Sequence, residues 1–573
     1  MKPLVYPLLL ITLLISGIQL VLAQSSTPVA KIDSLFAEWN KPGKPGAAVG
    51  VVHKGKLIFA KGFGEADLET GAPITPETVF HVASVSKQFT AYAIVLLAQQ
   101  GKLSLDDDIR KYVPEVPDFG KTITLRHLLN HTSGLRDQWN LLAMSGRGLD
   151  DVITKAHIFN LIKRQKELNS EPGSTFNYCN TGYTLLAETV SRVTKQTFPD
   201  WMQQNVFKPL GMNSTLFYDN NERMVKGRAY SFHITPGVGT FSKSPLNYAN
   251  VGATSLFTTV NDLARWIDNF RATKVGAPAT MTQMLEKGRL NKGDTLSYAL
   301  GLFHSQYKGL SYYGHNGADA GFRSFLTYFP KEDYGFIVLS NQAEFNPDRK
   351  GQELASLYLA PHLKEEKKAE TPVANASFKF DSTLFRNYAG SFELAEAPGF
   401  ILKFRREGDR YFTQATGQSE VEMFPSSDST FFLKVVDASV VFHRPKGGQV
   451  SRITLRQNGN HPGTRVQSVK APEIKQEQFV GKYYSPELET IYTITQDGES
   501  LKLIHVQHGE VPLRVLTKDR LQAPWWFVQN IELVRDASDK VLGLRMNNGR
   551  VQNLWFQRLN DDFAAVQPPL PVK

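Results

Sequence analysis

Residues 364–376, Lys-Glu-Glu-Lys-Lys-Ala-Glu-Thr-Pro-Val-Ala-Asn-Ala, divide the chain into two textures. Before them, from about Pro28 to Leu363, runs with helical spacing mix with strand-like runs. After them, short strand-like runs follow one another with turn signals between and almost no helical periodicity. One architecture cannot serve both stretches, so the 573 residues must hold at least two kinds of domain.

The second texture repeats itself. Tyr388-Ala389-Gly390-Ser391-Phe392 is matched in pattern by Phe479-Val480-Gly481-Lys482-Tyr483, about 91 residues on. Strand-like runs (Gly399–Arg405, Tyr411–Thr413, Thr430–Val435, Val440–His443) and turns such as Asp497-Gly498 and Asn548-Gly549 fill the interval pattern. Two small antiparallel β-barrels over 377–470 and 471–573 are expected, with one larger sandwich as the alternative. Trp525-Trp526-Phe527 would lie in barrel core or form a platform for a sugar or peptide.

In the first texture, Ala47–His53 and Lys56–Phe59 read as a hairpin turning at Lys54-Gly55. Ser84–Gln100 has long helical periodicity and stops at Gly101. Leu125–Asn130, Gly182–Val193, Asn261–Phe270 and Gln352–Leu363 read as helices, and Phe325–Phe329 with Gly335–Leu339 as adjacent strands. Strands at both ends with helices between predict an α/β (α+β) sandwich: an antiparallel sheet flanked by helices over 24–363. This part is expected to fold without the β region.

Met1-Lys2-Pro3 and the apolar run Leu4–Leu22 precede Val21-Leu22-Ala23, a small-residue cleavage pattern. Residues 1–23 are expected to be a signal peptide, giving a periplasmic or secreted protein with no stable membrane span after cleavage. An uncleaved anchor is the alternative, disfavoured by Pro7 and Gly17 within the run. The single cysteine, Cys179, excludes intrachain disulfides and a thiolate zinc cluster. Lys and Arg outnumber Asp and Glu by 65 to 55, but the excess is diffuse and forms no stripe with interleaved aromatics, so no nucleic-acid partner is expected.

Three short motifs carry chemistry. Ser84-Val85-Ser86-Lys87 opens the long helix, and the i, i+3 spacing puts Ser84 and Lys87 on one face. A serine at a helix start lies near N–H donors, and a neighbouring neutral lysine could remove its proton. Tyr178-Cys179-Asn180 and Gly314-His315-Asn316-Gly317-Ala318 follow in order. Each is weak alone; order and spacing together are strong.

With these stretches the sequence resembles the serine β-lactamase and penicillin-binding-protein superfamily, in its class C-like branch of esterases and D-peptidases. His127-Leu128-Leu129-Asn130-His131-Thr132-Ser133-Gly134-Leu135, Leu103–Glu115, Thr259–Trp266, Tyr298-Ala299-Leu300-Gly301 and Gly314–Phe322 all resemble segments of that branch. The layout with two following barrels, lipocalin-like in kind, resembles the D-aminopeptidase type. The resemblance implies Ser84 as the nucleophile that becomes acylated, Lys87 as base or base partner, and Tyr178 as proton shuttle. It implies that Lys87 and His315, as cationic or donor neighbours, lower the Tyr178 phenol below its ordinary pKa of roughly 10. Asn180 would bond the substrate amide, Asn316, Gly317 and Ala318 would line the substrate, and the N–H groups of Ser84 and Ala318 would form the oxyanion hole.

The third motif reads His-Asn-Gly where many β-lactamases carry Lys-Thr-Gly, which lowers the expectation of β-lactamase or carboxypeptidase activity. Cys179 is a small core residue or, on the sharper reading, a reactive thiol. His127 and His131 have metal-like spacing without supporting carboxylates, and Asp106-Asp107-Asp108 reads as turn and cap; neither a cofactor nor a metal is expected. The expected substrates are small amides, short D-amino-acid peptides or esters, with cell-wall fragments among the candidates. β-Lactamase or DD-carboxypeptidase-like activity, and a non-catalytic sensor that keeps only the fold, are the alternatives.

Overall fold

The computed structural model describes residues 27–364, 378, 380–395, 400–416, 420–433, 438–444, 448–457, 460–466 and 474–559. The leader read over 1–23 and all of the expected linker beyond Lys364 lie outside the described residues. Among those described, no helix is long and apolar enough to cross a membrane.

The chain forms two compact units. The first takes 27–104, 186–288 and 295–364; the second takes 105–185, 289–294 and the described residues beyond 364.

The first unit is built on a six-stranded antiparallel sheet. Its strands are β1 (Ala47–His53), β2 (Lys56–Phe63), β3 (Phe303–Tyr307), β4 (Leu310–Asp319), β5 (Phe322–Phe329) and β6 (Tyr334–Ser340), in the order β3-β4-β5-β6-β1-β2. The two chain ends of the unit meet where β1 pairs with β6, Ala47 opposite Ser340 and His53 opposite Tyr334. Alternation along β1 sorts its side chains. Ala47, Val49 and Val51 join Phe325, Phe329, Phe336 and Val338 under helices α1 (Thr27–Phe36) and α5 (Pro347–Leu359). The opposite face carries α4 (Val260–Ala272), and there Gly50 is required because a Cβ would lie 2.5 Å from Val260 Cγ1. Behind α4 runs α2 (Ser86–Gln99), with Phe89 stacked on Trp266 at 4.2 Å. Helix α3 (Asn180–Thr194) begins in the second unit and ends in the first.

The β region closes into two eight-stranded barrels, from Gly390–Leu394 to Asn460–Val466 and from Gly481–Ser485 to Leu554–Arg558. The single-sandwich alternative is thereby excluded. First and last strands pair in each, so neither leaves a free sheet edge. The duplication extends to detail: a 3-10 turn (Ser382–Asn387, Gln476–Phe479) precedes the first strand of each barrel. An arginine on each last strand donates to backbone carbonyls there, Arg465 to Asn387 and Ala389, Arg558 to Gln478 and Val480. Phe385, Tyr388, Phe392, Phe404, Phe431 and Phe442 fill the first barrel. Trp525 stacks on buried Phe527, while Trp526 is half exposed.

The segment 105–185 packs with the second barrel. Arg136 donates to Glu487 and to the Gln552 carbonyl, Tyr492 to the Met144 carbonyl, and Asn140 to Asn548. Asn548-Gly549 does not form a two-residue hairpin. Asn548 is fully buried, its Oδ1 accepting from the Arg550 and Val551 amides, and it shapes a loop between the strands Val541–Asn547 and Leu554–Arg558.

Candidate active site

Ser84 lies in a 3-10 turn, Ala83–Val85, that runs directly into α2. From Thr78 to Leu97 it is the one residue that is not buried. Lys87, on the first turn of α2, is fully buried, and its Nζ donates to Ser84 Oγ at 3.1 Å and to the Ala253 carbonyl at 2.7 Å. The i, i+3 spacing thus gives direct contact. Gly301 of the Tyr-x-Leu-Gly segment closes over this turn: its φ is +74°, and a Cβ would lie 2.8 Å from the Lys87 carbonyl.

The turn is held on every side. Ala83 has φ +47°, a left-handed conformation that costs a residue with a Cβ energy and needs support. Its N–H donates to His81 Nδ1 at 3.1 Å, and its carbonyl accepts from Ser86 Oγ at 2.6 Å. The Val82 carbonyl accepts from Ser324 Oγ at 2.8 Å. Ala83 and Ser255 amides point at opposite nitrogens of His81, and burial with the nearby Arg228 charge pushes this ring down to about 3. Burial leaves the ring neutral; its Nε2 also lies 3.2 Å from Thr254 Oγ1, and Thr254 in turn donates to Asp319. A chain of contacts therefore joins the nucleophile turn to the end of β4. Sequence reading missed His81, Thr254 and Asp319, although His81 stands three residues before Ser84 and Asp319 directly follows Ala318.

Strand β4 lies against Ala83–Val85 beyond Gly314, where its pairing with β3 has ended. Gly317 permits this, since a Cβ there would lie 2.5 Å from the Val82 carbonyl. His315 is buried, and burial with the Lys87 charge pushes it down to about 3. A carbonyl can only accept, so the 2.6 Å contact with the Asn316 carbonyl fixes the proton on Nδ1. Nε2 then accepts from the Tyr298 hydroxyl at 3.2 Å. As a neutral ring His315 adds no positive charge, which corrects the expectation of a cationic neighbour. Asn316 is exposed and donates to Asp348 on α5, across the sheet from His315, so the structure does not bring its side chain together with Ser84, Lys87 and His315. Ala318 is exposed on the same strand.

Tyr178 and Asn180 belong to the second unit. Asn180 Nδ2 donates to Asp137 Oδ2 at 2.8 Å, and the Asn180 amide N–H reaches the same oxygen at 2.7 Å. The carboxylate thus fixes which way the side-chain amide faces. The Tyr178 ring lies 4.1 Å from the His131 ring, and the Arg550 guanidinium sits 5.1 Å from its centroid. His131 also accepts from the Cys179 amide at 3.0 Å, which gives the second histidine of the His-Leu-Leu-x-His segment its task. Cys179 is buried and its thiol is pushed up to about 12 by desolvation, so it is a core residue and the reactive-thiol reading falls. His127 closes a capping box with Thr124. Asp106, Asp107 and Asp108 pair with Arg126, Lys111 and Arg110.

The family model described as Beta-lactamase matches residues 32–360. Penicillin-binding protein 4* of Bacillus subtilis (strain 168) is 27% identical over 427 residues, 72% of this chain and 93% of that protein. Protein flp of Staphylococcus aureus (strain MRSA252) is 31% identical over 317 residues, 53% of this chain and 61% of its own length. The octameric penicillin-binding protein homologue from Pyrococcus abyssi shares the fold with a TM-score of 0.54 at 21% identity, over 84% of this chain and 99% of that one. The penicillin binding protein from Bacillus halodurans does so with a TM-score of 0.50 at 22% identity, over 57% and 98%. With more than half of its length matched by the family model, this chain belongs to the β-lactamase family of serine hydrolases.

Proposed function

We propose that this protein is a secreted serine hydrolase that acts by acyl transfer on small amides, D-amino-acid peptides or esters. The contact between buried Lys87 Nζ and the accessible Ser84 Oγ, 3.1 Å apart, carries the reading. Lys87, in its neutral amine form, takes the Ser84 proton as Oγ attacks the substrate carbonyl. The oxyanion that forms accepts from the Ser84 and Ala318 amides, each donor contributing about 3 kcal/mol. Tyr178 passes a proton to the leaving group, which departs as the acyl-enzyme forms. Water then attacks the ester, and the same groups return the proton to Ser84 Oγ. Asn180 bonds the substrate amide, and residues 1–23 direct export and are removed.

Hydrolysis of D-alanine p-nitroanilide and a panel of acyl esters, set beside nitrocefin, tests the substrate class. Turnover of the anilide or esters with little on nitrocefin supports the proposal. The neutral His315 at the position of the usual lysine favours that outcome. The likeness to Penicillin-binding protein 4* favours a second reading, in which β-lactams acylate Ser84. Efficient nitrocefin turnover would replace the first reading with a β-lactamase. Loss of hydrolysis in Ser84→Ala is required by either.

A further inference from the structure

The loop after Val541–Asn547 brings Arg550 of the second barrel onto the ring of Tyr178. The placement is built. Asn548, fully buried, accepts from the Arg550 and Val551 amides at 2.8 and 2.9 Å and donates to the Phe527 carbonyl at 2.7 Å. The Arg550 carbonyl accepts from Asn169 Nδ2 at 2.8 Å and from the Asp137 amide at 3.2 Å. The Gly549 carbonyl faces Asn177 Nδ2, one residue before Tyr178. Arg550 is thus fixed through its backbone while its side chain stays exposed.

That side chain uses only its face. A guanidinium over an aromatic ring is held by the ring quadrupole, and its N–H groups in the plane stay available. No carboxylate or carbonyl among the described residues takes them. Five donors in a fork, held beside a tyrosine, match a carboxylate or another planar anion. The third motif supplies no such cation, because its histidine is buried and hydrogen-bonded at both nitrogens. We propose that Arg550, contributed by the C-terminal barrel, is a specificity determinant that binds an anionic group of the substrate beside Tyr178. This rests on the reading of Tyr178 as the proton shuttle of a Ser84 hydrolase.

Two esters with one acyl group test it: phenyl phenylacetylglycinate and its 3-carboxyphenyl counterpart. The reading is the ratio of kcat/KM for the charged over the neutral ester in full-length protein, corrected for the leaving groups' intrinsic reactivity. Wild type is expected to favour the charged ester, less so as salt screens the pair. Arg550→Ala should cut the ratio about tenfold or more, Arg550→Lys should keep part of it, and Arg550→Glu should cut it furthest. An unchanged ratio in Arg550→Ala and Arg550→Glu overturns the proposal, as does an equal loss on both esters, which would make the stack a support for Tyr178 alone. Failure of both esters to acylate Ser84 by intact mass would instead remove the hydrolase reading and this inference with it.

Discussion

Arg136 donates to Glu487 at 2.6 Å, with side chains 0% and 4% exposed, and so joins the segment after His-Thr-Ser-Gly-Leu to the second barrel. Burial holds Arg136 below and Glu487 above their ordinary pKa values even though they pair. The pair lives on desolvated ground, where each charge depends on the other.

Removing one partner leaves the other charge buried. Glu487→Ala should therefore cost about 3–5 kcal/mol in the unfolding step that carries the second unit. The double substitution Arg136→Met, Glu487→Leu should cost clearly less. Urea titrations of the three proteins check this, and equal losses in single and double variants would contradict it. By the same argument, removal of 377–573 should leave a poorly soluble fragment, because Arg136, Met144 and Asn140 lose buried partners. This differs from the independent folding expected from sequence.

His81 supports the strained Ala83 backbone from a buried position, without facing substrate. His81→Ala should lower kcat about 10²-fold while KM moves only a few-fold, because the nucleophile loses its set position. Thr254→Val, which breaks the link to Asp319 with less loss of volume, should show the same split in weaker form. A fluorophosphonate labelling rate per folded molecule equal to wild type would reduce His81 to a packing role.

Both His81 and His315 are neutral in the fold, each pushed down to about 3, whereas an unfolded histidine titrates near 6.5. Below about pH 6.5 the unfolded chain then binds more protons than the native one. Stability falls as pH falls from about 6.5 toward about 3, by up to roughly 1.4 kcal/mol per pH unit for each ring. Calorimetric Tm should drop between pH 7 and pH 5. A flat Tm over that range would show that the rings protonate in place.

Cys179 should be silent in the native protein. Its thiol is buried and pushed up to about 12, so Ellman's reagent at pH 8 should find none folded and one in guanidinium. Rapid native labelling would mean that the Tyr178-Cys179-Asn180 turn opens.

The architecture was legible where periodicity speaks. Ala47–His53 reads as a short apolar run, Phe325–Phe329 and Gly335–Leu339 read as adjacent strands that the structure extends to Phe322–Phe329 and Tyr334–Ser340, and the 91-residue echo of Tyr388 in Phe479 announced two like domains. The contact of Ser84 with Lys87 followed from i, i+3 spacing. What stayed hidden depends on residues far apart in sequence. His81 meets Thr254, Arg136 meets Glu487 and Tyr178 meets Arg550 only after folding, and no local pattern marks such pairs. The charge state of His315 was also hidden, since it follows from burial and from two partners that a motif does not display. Asn548-Gly549 misled because the pair looks like a tight turn, whereas the buried asparagine organises a longer loop.

The central claim is that Ser84 becomes covalently acylated with Lys87 beside it. Intact-mass analysis after incubation with a fluorophosphonate tests this most directly. The account predicts a single adduct that maps to Ser84, absent in Ser84→Ala and formed far more slowly in Lys87→Ala. An unmodified wild type that also turns over no amide or ester, or an adduct that persists in Ser84→Ala, would contradict it.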